Sequence, residues 1–84
     1  MTNSQAVIEK KVLQHLRRVV GHKTPIEMDT SLDSLGVDSI SSMQLVMDLE
    51  RDMNVHIPDE KIGQLTTPRA VIELVMALSE VHVA

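Results

Sequence analysis

Leu35-Gly36-Val37-Asp38-Ser39-Ile40 is the joint of this 84-residue chain. Upstream, residues 21–38 hold turn and breaker signals: Pro25, the cluster Asp29-Thr30-Ser31, and Gly36. Downstream, Leu45, Val46, Leu49 and Met53 recur along one helical face. The joint is therefore a loop-to-helix boundary. It predicts a helix from Ser39 to Met53, capped by Asp38 or Ser39 and stopped at Asn54, a residue that tolerates the left-handed conformation.

Working outward, Ile8, Val12, Leu13, Leu16, Val19 and Val20 mark an earlier helix over residues 4–20, ended by Gly21. Thr2-x-x-Gln5 resembles a capping box at its start, with Ser4 as a rival cap. Arg17 and Arg18 favour the negative end of its dipole. A connection as long as residues 21–38 needs core contacts of its own, and Ile26, Met28, Leu32, Leu35 and Val37 are placed to supply them. A short helical turn fits near residues 31–35. Beyond Asn54, Ile57-Pro58-Asp59 restarts the chain for a turn or two to Gln64. Thr66-Thr67-Pro68 then supplies a cap followed by proline at the first helical position. Val71, Leu74, Val75 and Leu78 continue that last helix to about Ser79, with fraying expected beyond. No alternating strand pattern interrupts the series. The fold class is all-α: a four-helix bundle of three long helices and a short third one, with a long loop between helices one and two, and residues 1–84 form a single domain.

Composition excludes several functions. The chain has no cysteine and no Trp, Tyr or Phe, so disulfides, thiolate metal sites and aromatic stacking on bases or flat cofactors are out. No apolar run is long enough to span a membrane and no signal peptide opens the chain, which suits a cytoplasmic protein. Net charge is −4 and unevenly spread. Residues 1–30 balance at +2, from five Lys/Arg against three acids. Residues 33–60 balance at −6, seven acids against Arg51 alone. An acidic middle argues against nucleic acid and for partners with basic docking surfaces, unless it is simply a solvated face.

Stepping at about 100° per residue, the second helix shows two apolar stripes. Leu45, Val46, Leu49 and Met53 form one, and Ile40, Met43 and Met47 form another roughly opposite. A helix on the outside of a small bundle needs only the first. The second either packs under the loop or short helix, or is an exposed strip beginning one residue after Ser39. Methionines suit an adaptable contact surface.

Catalysis at Ser39 would need a base and a group to hold it. The four histidines, His15, His22, His56 and His82, form no such arrangement: His15 and His82 fall on helix or tail surfaces, His22 and His56 beside turns. Gly36-Val37-Asp38-Ser39 is not a nucleophile elbow. Asp29-x-x-x-Asp33 lacks the spacing of a calcium loop, so no metal site and no catalytic residue are expected. Ser39 instead suits a modifying group. Free N–H groups and the dipole at a helix N-terminus favour an anion such as a phosphate ester. These residues alone also allow Ser39 to be a plain cap.

The quoted stretch resembles the Leu-Gly-x-Asp-Ser-Leu signature of acyl carrier proteins. Leu45-Val46-Met47-x-Leu49-Glu50, Ile57-Pro58-Asp59-Glu60 and Leu65-Thr66-Thr67-Pro68 follow in that family's order and spacing. The resemblance implies that Ser39 holds a covalent 4′-phosphopantetheine arm, transferred from coenzyme A by a magnesium-using phosphopantetheinyl transferase. The arm's thiol would hold acyl groups as thioesters, which explains a reactive thiol in a chain without cysteine. It implies a monomeric carrier rather than an enzyme, met in turn by an acyl-loading enzyme, a ketosynthase or other acyl-transfer enzymes. Carried over by position, the partner surface comprises Ile40, Met43 and Met47 as apolar contacts and Asp38, Asp48 and Glu50 as acidic ones. Ser41, Gln44 and Arg51 stand where the fatty-acid type has acids, and Ile40 replaces its leucine. Those departures point to a specialised polyketide, hybrid-peptide or fatty-acid-like pathway. An aminoacyl or D-alanyl carrier and a non-covalent helical docking module remain the alternatives. The length and Met1 suggest a free-standing chain.

Overall fold

The chain is described by a computed structural model over residues 4–21 and 23–83. Four helices follow one another: α1 (Ser4–Val20), α2 (Ser39–Met53), α3 (Asp59–Ile62) and α4 (Pro68–Val83). No strand occurs among the described residues. α1 lies against both α2 and α4. Its Ile8, Val12 and Leu16 meet Leu45, Val46 and Leu49 of α2 and Val71, Ile72 and Val75 of α4 in one core. Residues within each set sit side by side or three or four positions apart, so each helix turns a single apolar stripe inward.

The long α1–α2 connection is part of that core. Leu32 and Val37 are buried, and Ile26, Met28 and Leu35 pack against them, as their spacing predicts. The expected helical turn is present: Leu35 N–H donates to Ser31 and Leu32 carbonyls and Gly36 N–H to the Asp33 carbonyl. Gly36 then turns the chain at φ 90°. Two ties join this loop to the start of α4. Leu32 N–H donates to the Thr66 carbonyl at 2.9 Å and Arg69 N–H to the Met28 carbonyl at 3.0 Å. The Arg69 guanidinium also grips both Asp29 oxygens, at 2.8 and 3.2 Å.

Helix ends follow local chemistry. At the C-terminus of α1, Arg17 donates to the carbonyls of Gly21 and Thr24 at 2.8 and 2.6 Å. Thr67 Oγ1 accepts from Ala70 N–H at 3.1 Å, capping α4 ahead of Pro68. Asn54 closes α2 in the left-handed region at φ 55°. Ser4 is the first helical residue of α1, and Thr2 of the capping box lies outside the described residues. Two expected boundaries shift. α3 ends at Ile62 rather than Gln64, because Gln64 and Leu65 N–H reach back only three residues, in tight turns beyond Gly63. α4 continues past Ser79 to Val83, since no glycine or proline follows to stop it.

Candidate functional site

Ser39 is the first residue of α2 and is exposed. It does not cap its own helix. Asp38, extended at φ −92° and ψ −172°, does so: its Oδ1 accepts from Ser41 N–H at 2.8 Å. Its carbonyl accepts from Ser42 N–H at 2.8 Å. Of the two candidate caps, then, Asp38 performs that task, and the Ser39 hydroxyl is hydrogen-bonded to no other described residue. The Ser41 N–H, joined by the Ser41 hydroxyl, holds the Asp38 carboxyl below its ordinary value. Beside Ser39 lies an open concavity of about 310 Å³. Ser31, Leu32, Asp33 and Val37 of the loop, Ser42 of α2, and Leu65 and Thr66 from the α3–α4 link form its walls.

The two stripes of α2 separate cleanly. Leu45, Val46 and Leu49 are buried, whereas Ile40 is 80% exposed and Met43 and Met47 are 46% and 50% exposed. The second stripe therefore lies under neither the loop nor α3; it is an apolar strip facing water from Ser39 downward. Asp38 stands at its head and Asp48 beside it, with Gln44 Nε2 donating to Asp48 Oδ1 at 3.3 Å. Glu50 also has an internal contact: its Oε2 accepts from Ile57 N–H at 2.8 Å and lies 3.4 Å from His56 Nδ1. That contact steadies the link into α3.

The histidines correct one expectation. His15 is not a surface residue: its side chain is 12% exposed, wedged between α1 and α2 with Nε2 2.8 Å from Asp52 Oδ2. It follows Val12 by three residues and precedes Val19 by four, a spacing that puts it on the inward stripe. His56 is exposed beside its turn, and His22 and His82 lie outside the described residues. Neither described histidine is hydrogen-bonded to Ser39. Asp29, half of the weak calcium-like pair, is held by Arg69, and no group of three or more His, Cys, Asp or Glu among the described residues is placed for a metal.

The residues that sequence reading missed are those of the concavity. Ser42 was findable, three residues after Ser39 on a helix. Thr66 and Ser31 were not, because only the tie between two distant loops sets them beside Ser39. An unencumbered hydroxyl at a helix N-terminus, open to solvent and flanked by a concavity with both polar and apolar walls, fits a phosphodiester and the start of a flexible arm.

The chain is similar to known proteins in both sequence and fold. Residues 10–75 match the family model described as the phosphopantetheine attachment site. Over 71 residues the chain is 35% identical to the oxytetracycline polyketide synthase acyl carrier protein of Streptomyces rimosus, covering 79% of this chain and 75% of that one. The acetyl actinorhodin acyl carrier protein of Streptomyces coelicolor superimposes with a TM-score of 0.67 at 26% identity, covering 87% of this chain and 92% of that one. An acyl carrier protein from Thermotoga maritima shares the fold, with a TM-score of 0.72 at 24% identity and the same coverage of 87% and 92%.

Proposed function

The chain belongs to the acyl carrier protein family, defined by a phosphopantetheine attachment site, and on that premise we propose that Ser39 is the attachment residue of a polyketide-type carrier. The family's covalent cofactor is 4′-phosphopantetheine, and its members are carriers rather than catalysts. The observation that carries the assignment is the division of labour at the joint. Asp38 caps α2, so the Ser39 hydroxyl is free to react.

In the transfer, Ser39 Oγ bonds to the pantetheine-bearing phosphorus of coenzyme A. The hydroxyl proton passes to a base of the transferase, and adenosine 3′,5′-bisphosphate leaves. The product is a phosphodiester whose charge sits at the positive end of the α2 dipole. When bound, the group supplies a terminal thiol that holds an acyl chain as a thioester. The residues of this chain hold the arm's root at a capped helix end, and Ile40, Met43 and Met47 offer partner enzymes an apolar strip. Asp38 and Asp48, with the edge of Glu50, give that strip an acidic margin for the phosphopantetheinyl transferase and for acyl-loading and ketosynthase-type enzymes. The polyketide assignment draws on the Streptomyces rimosus and Streptomyces coelicolor relatives and on Ser41, Gln44 and Arg51, which make α2 less acidic than a fatty-acid type.

Intact-mass measurement after incubation with coenzyme A, magnesium and a broad-specificity transferase tests the proposal. The expected result is a gain of one phosphopantetheine that disappears in Ser39→Ala. A chain left unmodified while a control carrier is converted defeats it. Loading the modified chain with malonyl or with aminoacyl groups then separates the polyketide role from an aminoacyl one.

A further inference from the structure

Six methionines stand in the chain, and five of them fall among the described residues. Met28, Met53 and Met76 pack against the core. Met76 Sδ also accepts from Gln5 Nε2 at 3.6 Å. Met43 and Met47 differ. They are 46% and 50% exposed, they are not among the residues packed on the core, and neither sulfur is hydrogen-bonded to a described residue. Four residues apart on α2, they share one face, about 6 and 12 Å along the helix from Ser39. The chain has no cysteine, whose thiolate would take up oxidant ahead of a thioether. Oxidant chemistry at this surface is thus directed to two thioethers that are open to water and lie in the strip beside Ser39.

We propose that Met43 and Met47 form a reversible oxidation site whose sulfoxide state closes the strip to partner enzymes; this rests on the role given to the strip above. The co-reactant is a hydroperoxide. A lone pair of the thioether sulfur attacks the terminal peroxide oxygen, and the O–O bond breaks. The sulfur loses two electrons and becomes a sulfoxide. The peroxide is reduced to an alcohol, or to water from hydrogen peroxide, keeping the hydroxyl proton. A dithiol-driven reductase reverses the step: two thiols become a disulfide, and the oxygen leaves as water. The chemical change at the surface is large. A thioether is apolar and adapts its shape to whatever covers it. A sulfoxide is a polar acceptor that must be stripped of water before an apolar partner surface can cover it. Two of them on successive turns leave Ile40 as the one apolar contact at the head of the strip. The core is spared, because its stripe of Leu45, Val46 and Leu49 faces the other way. A docked enzyme covers the two sulfurs, so the free carrier is the form that reacts.

The test uses the full chain without its arm, treated with hydrogen peroxide that is then removed. Peptide mapping by mass spectrometry should place the first oxygens on Met43 and Met47, ahead of Met28, Met53 and Met76, with helix content by circular dichroism unchanged. The oxidised chain is next given to a phosphopantetheinyl transferase with coenzyme A and magnesium. Its kcat/KM as a substrate should fall about tenfold and return after treatment with methionine sulfoxide reductases. In Met43→Leu/Met47→Leu the ratio of the rates before and after peroxide should stay near one, whatever the starting rate of that variant. First oxidation at the core methionines, an oxidised chain converted as fast as the untreated one, or an equal fall in the leucine variant each overturn the proposal and leave the carrier role standing. An untreated chain that the transferase does not convert overturns the carrier role and this proposal together.

Discussion

Gly36 and Asp38 show how single residues set up the site. Gly36 sits at φ 90°, where an L side chain is strained, yet a Cβ built there meets nothing within 4 Å. Gly36→Ala is therefore expected to cost about 1–2 kcal/mol through backbone strain alone, read as a lower urea midpoint by circular dichroism. An unchanged midpoint would show that the turn relaxes freely. Both the turn at Gly36 and the capping competence of Asp38 were legible, because each depends on near neighbours. His15 and Glu50 were misjudged or only half-seen for the opposite reason. His15 meets Asp52 from another helix, and the Glu50 carboxylate meets an amide seven residues on, past the end of its own helix.

The two stripes of α2 make a prediction at the scale of the element. Leu49 is fully buried and Met47 is half exposed. Leu49→Ala is expected to destabilise the chain by about 2–5 kcal/mol, a large share of what so small a domain possesses. Met47→Ala should change stability by no more than about 0.5 kcal/mol, because it removes no core contact. Chemical denaturation followed at 222 nm measures both, and a comparable loss in the two variants would mean that the second stripe is structural. The periodicity showed that α2 had two apolar faces. It did not say whether the second was covered as well as the first, since that depends on where α3 and the loop pass. The starts of α2, α3 and α4 were legible from caps and prolines. The end of α3 was not, because the choice between a fifth helical residue and a tight turn lies with the path to Thr66.

Across the whole molecule, three carboxyls join or terminate separate elements. The hydrogen bond from Arg69, the N–H of Ser41, and the hydrogen bond from His15 respectively hold Asp29, Asp38 and Asp52 below the ordinary value of 3.8. Each group's folded-state pKa is lowered, so its contribution is fully present above the unfolded value and is lost as pH falls through the folded one. Thermal unfolding midpoints should therefore hold between neutrality and about pH 5 and drop steadily below about pH 4. Asp29→Asn should flatten part of that drop, because it removes the partner that ties the loop to α4. A midpoint unaffected by acid would contradict the assigned pairings. No helix among the described residues is long and apolar enough to cross a membrane.

Helix order, the Asp38-Ser39 joint, the inward faces of α1, α2 and α4, and the resemblance carried by residues 35–68 were determined by the sequence alone. Each rests on spacing within one helix or on chemistry within a few residues. Tertiary structure alone decided that Ile40, Met43 and Met47 face water and that Thr66 and Ser31 stand beside Ser39. Those outcomes depend on how α1 crosses α2 and on the tie between Leu32 and Thr66, contacts between residues far apart in the chain that no local pattern encodes.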